Sequence, residues 1–157
     1  MLVLPVLLAA ATARGDGGRV QLSETAGPFA VTVFTAPTPL RVGPVDVSVL
    51  VQGADGGAPV LDAAVQVALA APSGERAAAA THAAATNQLL YAAVLDVPAP
   101  GRWTLAVHVA GRAGDAAVSC EVDVAPPLPP ALAFWPYLAL PGVAIALFAL
   151  HQWLKGA

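Results

Sequence analysis

The chain has 157 residues, 57% of them hydrophobic and only 11% charged, with 15 Pro, 14 Gly and a formal charge of -3. Seven Lys and Arg against ten Asp and Glu, with no basic cluster, exclude a nucleic-acid surface that works by neutralising phosphates. One cysteine, Cys120, rules out an internal disulfide and a cysteine-based zinc site, so packing or partners must hold the fold.

In chain order, residues 2–13 form an apolar run that closes on Ala11-Thr12-Ala13, small residues at the places a signal peptidase reads. As a helix this run covers about 18 Å of a roughly 30 Å hydrocarbon core, too little to span. Residues 1–13 are therefore predicted as a cleaved secretory signal.

Six runs of period-two alternation follow. They are Val31 and Val33; Val45, Val47, Val49 and Val51; Val65, Val67 and Leu69; Leu89, Tyr91, Ala93 and Leu95; Trp103, Leu105, Val107 and Val109; and Val118, Cys120, Val122 and Val124. Polar residues such as Asp46, Ser48, Gln66, His108 and Glu121 stand between the apolar ones, as half-buried antiparallel strands require. The alanines of Arg76 to His82 leave strand, helix and loop all open there. Turn chemistry separates the runs at Thr38-Pro39, Gly53 to Pro59, Pro72-Ser73-Gly74, Pro98 to Gly101 and Gly111 to Gly114. The pattern predicts an all-β fold over residues 14–124, an immunoglobulin-like β-sandwich of about seven strands. Trp103 is its expected central aromatic and Cys120 a small core residue.

Residues 125–130 hold four prolines in six positions and predict a stiff polyproline spacer of about 20 Å. Residues 131–154 carry no Asp, Glu, Lys or Arg and, as one helix, would measure about 36 Å. The expectation is a C-terminal transmembrane helix with Trp135, Tyr137, Trp153 and Lys155 as interface anchors and Pro141-Gly142 as a kink that a partner helix could use. A cleaved signal would place the β-domain on the extracytoplasmic side of a bacterial inner membrane, with 155–157 as the cytoplasmic tail.

Three stretches carry a family resemblance: Leu40 to Val49, Ala58 to Val65, and Pro100-Gly101-Arg102-Trp103-Thr104-Leu105-Ala106-Val107. Their order of a glycine-preceded strand, a Pro-Val-x-x-Ala-x-Val strand and a Gly-x-Trp strand resembles the YtkA-like or FixH-like domains over most of residues 28–124. The resemblance implies a small membrane-attached sandwich that assists assembly or copper supply of respiratory oxidases.

Direct chemistry is sparse. His82 and His108 could meet across strands, but two imidazoles make an incomplete copper site unless other ligands join. There is no Gly-x-Ser-x-Gly elbow, no Ser/His/Asp grouping and no phosphate-cradling glycine loop, so no enzyme activity is expected. Thr81, His82, Asn87 and Gln88 lie in a polar stretch among small residues that suits docking against another protein. Together these readings predict a single-pass membrane accessory or assembly protein bound to an integral membrane complex. The alternative is an extracytoplasmic copper or small-ligand carrier tethered to the bilayer.

Overall fold

The computed structural model describes residues 18–129 and 135–156. The chain divides into two compact units, 1–126 and 127–157. The signal-sequence reading of residues 1–13 lies outside the described residues.

Among the described residues the first unit contains eight strands: β1 (Arg19–Ala26), β2 (Phe29–Ala36), β3 (Gly43–Gly53), β4 (Ala64–Ala71), β5 (Gly74–Ala80), β6 (Tyr91–Val97), β7 (Gly101–Gly111) and β8 (Gly114–Val124). They form two four-stranded antiparallel sheets, ordered β1-β2-β3-β6 and β5-β4-β7-β8. Valine and leucine at every second position give each central strand one apolar side, and these sides meet in one core. Val31, Val33, Val45, Val47, Val49 and Val51 from the first sheet join Val67, Leu69, Leu105 and Val107 from the second, all at most 1% exposed. Trp103 is the largest fully buried side chain, and its indole Nε1 donates to the Ala99 carbonyl at 3.1 Å. That bond settles the one polar atom an indole brings into a core.

Short turns fix the registers. The β1–β2 turn is Gly27-Pro28, where glycine takes φ +54° and proline supplies its own fixed φ. Later, the chain crosses between sheets three times, after β3, β5 and β6. Beyond β8, Ala125 donates to the Leu40 carbonyl and accepts from the Val42 amide at 2.8 and 3.1 Å, while Arg41 reaches the Pro126 carbonyl at 2.8 Å. The first residues of the proline-rich segment are therefore bound to the β2–β3 connection.

One strand lies beyond the expected seven, and the stretch left open between strand, helix and loop takes a defined form. Arg76 to His82 resolves into β5 plus a single 3-10 turn at His82–Ala84. A further strand, β1, precedes the first alternating run; it is an edge strand, mostly exposed, and an extra residue at Gln21 breaks its alternation.

Among the described residues the second unit contains one helix, α1 (Trp135–Gly156), of 22 residues. Among the described residues no helix is long and apolar enough to cross a membrane. Within α1, Pro141 removes an amide from the hydrogen-bond ladder, and His151, Gln152 and Lys155 put polar side chains into its last two turns. The transmembrane assignment of 131–154 is corrected accordingly. The single-pass inner-membrane location, the bilayer and integral-membrane-complex partners, and both membrane-tethered functions rested on that span and are corrected with it. Tyr137 and Trp153, expected as interface anchors, are 69% and 71% exposed side chains of α1, and Lys155 lies in its last turn. Pro141 sits inside the helix, and a Cβ built on Gly142 meets nothing within 4 Å.

Candidate functional site

Asp46 occupies an outward position of β3, a strand held on both sides by β2 and β6. Its neighbours Val45 and Val47 point into the core, so alternation sends the carboxylate to the opposite face of the sheet. Register places Ala36 of β2 on one side of Asp46 and Val94 of β6 on the other. Just beyond, the chain turns through Pro37, Thr38 and Pro39 before β3 begins at Gly43-Pro44. The result is a cavity of about 570 Å³ lined, among the described residues, by Gly18, Ala36, Pro37, Thr38, Pro44, Asp46 and Val94.

The described lining is mainly apolar, and among the described residues its only ionisable side chain is Asp46. Ser48, the next outward residue of β3, is 6% exposed between Phe34 and Ala92 and directs its hydroxyl to Asp46 Oδ2 at 3.4 Å. Burial pushes the Asp46 carboxyl above its usual value of 3.8, and the Ser48 hydrogen bond opposes that only in part. The ion pairs seen among the described residues lie elsewhere: Arg102 with Glu121 and Asp123, and Arg112 with Asp62. Asp96, exposed on β6 opposite Pro44, adds a second acid one rung along the sheet.

Within the stretch expected to bind a partner, Thr81, Asn87 and Gln88 are exposed and His82 is bonded within the domain. His82 Nδ1 lies 2.9 Å from the Leu90 carbonyl and Nε2 lies 3.1 Å from that of Leu61. Its ring rests on Tyr91 with centroids 3.9 Å apart. The Tyr91 hydroxyl donates to Val60 O and accepts from Ala63 N, both at 3.0 Å, so the two rings clamp the β3–β4 crossover. Burial holds the Tyr91 phenol above its usual range. Thr81 exchanges backbone bonds with Ala92, Asn87 Oδ1 accepts from Leu89 N at 3.0 Å, and Gln88 is exposed.

His108 stands on the outward side of β7, opposite Gln66 of β4 and Ala117 of β8. His82 and His108 line separate cavities, one with Tyr91 and Leu61 and the other with Asp115 and Val109. Among the described residues no three His, Cys, Asp or Glu side chains gather as a metal would need. Cys120 lies half-buried against the core opposite Leu105, and burial pushes its thiol up, toward the protonated and unreactive form.

In the sequence Asp46 stands out only as a polar residue within an alternating run. The signal present was an acid in the middle of a strand whose inward positions are all valine, but the cavity walls come from segments distant in sequence. No family model, curated protein or solved structure matches the chain. The resemblance to YtkA-like and FixH-like domains is therefore not upheld. Its Gly-x-Trp stretch reflects general packing needs, since Gly101 takes φ +128° entering β7 and Trp103 fills the core.

Proposed function

We propose that the β-domain is a non-catalytic binding module whose ligand site is the Asp46 cavity, formed by the end of β2, the first residues of β3 and Val94 in the middle of β6. The observation that carries this reading is a carboxyl group half-buried in an apolar concavity with a hydroxyl and, among the described residues, no basic side chain as its partner. Partial desolvation without a counter-charge costs folding stability, so its presence is explained by a ligand that supplies what the fold omits. The cavity also has the size and mainly apolar lining of small-ligand sites. Its side chains offer one carboxyl and the Thr38 hydroxyl, without the nucleophile and base pair that catalysis would use.

The test is ligand-observed NMR of the full chain against a panel of small apolar compounds that are neutral, anionic and cationic, repeated with Val94→Arg. Val94 is 63% exposed, so the longer side chain fits without disturbing the core while filling the cavity beside Asp46. Binding to the native chain that Val94→Arg abolishes, with the compound recovered unchanged, is the expected result. Binding that survives Val94→Arg, or no binding by any compound, overturns the reading.

A further inference from the structure

Resting on that reading of the Asp46 cavity, we infer that its ligand is an organic cation: a protonated amine or guanidinium carried on an apolar stem. The geometry selects this chemistry in three steps. First, Ala36, Pro37, Pro44 and Val94 line most of the concavity, so a ligand gains by burying hydrocarbon there and a fully hydrated inorganic cation does not. A lone carboxylate also lacks the several oxygen ligands a hard metal ion needs. Second, among the described residues the only charge in the lining is negative, and the acid nearest along the sheet, Asp96, has the same sign, so an anionic ligand is repelled there. Third, Ser48 donates to Oδ2 at 3.4 Å, which leaves Oδ1 and the remaining lone pairs of Oδ2 as acceptors for N–H donors. A charge-assisted bond inside a partly dry cavity is stronger than one in open water.

The charged groups on the surrounding strands are few. On β2 and the 37–42 connection the only one is Arg41, which binds the Pro126 carbonyl; on β6 it is Asp96; on β1 they are Arg19 and Glu24. Arg19 lines a different cavity with Glu121 and Asp123 and is opposite Thr35 in the register, outside the Asp46 lining.

Two sources share this chemistry: a free small amine, and a Lys or Arg side chain of a protein. Isothermal titration of the full chain with hexylammonium, hexanol and hexanoate holds the apolar stem constant while changing the head group. An acetylated and amidated Ala-Lys-Ala peptide forms the second arm. Hexylammonium should bind at least tenfold more tightly than hexanol, and hexanoate should not bind. Asp46→Asn should bring hexylammonium down to the level of hexanol while circular dichroism shows the β-fold intact. Peptide binding tighter than hexylammonium identifies a protein side chain as the source; the reverse order identifies a free amine.

Equal, Val94→Arg-sensitive binding of hexanol and hexylammonium overturns the cation inference and leaves the binding site standing. A preference for hexylammonium that persists in Asp46→Asn also overturns it. Absence of binding by all four probes overturns the inference together with the site.

Discussion

Asp46 is the residue at which folding and binding pull in opposite directions. Its carboxyl is held above the ordinary carboxylate range by burial, so the folded chain takes up a proton there more readily than the unfolded one. The stability tied to this group is fully present below its usual value of 3.8 and is lost as pH rises through the elevated folded value. Asp46→Asn keeps the shape and an acceptor for Ser48 but removes the charge. It should therefore melt at a higher temperature than the native chain at neutral pH, by on the order of 0.5 kcal/mol or less, with the gap closing toward pH 3. Parallel thermal melts of the two proteins from pH 3 to 7 measure this; a gap that is constant or widens in acid would contradict it. Tyr91 makes the second residue-scale prediction. Removing its hydroxyl strands the Ala63 amide and the Val60 carbonyl, so Tyr91→Phe should cost about 1–3 kcal/mol. Urea unfolding should show this as a lower midpoint at unchanged slope. Neither residue's role was legible in the sequence, because the partners of Tyr91 lie about 30 positions upstream and those of Asp46 are set by strand register.

Among elements, the strands that announce themselves are those whose inward positions are all apolar. The run from Val45 to Val51 and the run from Trp103 to Val109 lie in β3 and β7, each flanked by two strands, and periodicity alone located them. By contrast β1 presents Arg19, Glu24 and an out-of-phase Gln21, because an edge strand with a bulge need not hide one side. β5 is written mostly in alanine, which prefers no β conformation; its pairing with β4 over Val65↔Ala80 to Ala71↔Gly74 decides the matter. In α1, the charge-free composition of 131–154 reads as a span, whereas the described helix, with Pro141-Gly142 and His151-Gln152 inside it, is not long and apolar enough to cross a membrane. An element-scale prediction follows from the β3–β6 rung. Val94→Arg places a guanidinium beside Asp46 on the same face, and such a cross-strand pair contributes roughly 0.2–1 kcal/mol. The variant should melt above the native chain at neutral pH, and that gain should vanish when Asp46→Asn is added. A gain that survives in the double variant would show that the two positions do not interact.

At the scale of the molecule, the eight strands share one buried core, and the outer face of the first sheet carries the cavity at its end. The core and the site therefore use opposite faces of the same strand, with Val45 and Val47 packed on one side of β3 and Asp46 exposed to ligand on the other. This separation lets the site carry an uncompensated carboxyl without opening the core. Trp103 sits where both sheets meet, and Trp103→Ala should cost about 3–5 kcal/mol and leave a void. Loss of the signal for native tertiary structure in near-ultraviolet circular dichroism at room temperature would register that cost. Unfolding unchanged from the native chain would show that Trp103 is not central.

Where a ligand binds can be read residue by residue in one measurement. Amide NMR spectra of the full chain titrated with hexylammonium at neutral pH should show saturable shifts confined to Asp46, Ser48, Val94, Ala36 and Thr38. Shifts centred on His82 and Tyr91, spread evenly over the sheets, or absent at saturating ligand would contradict the assignment of the Asp46 cavity as the binding site.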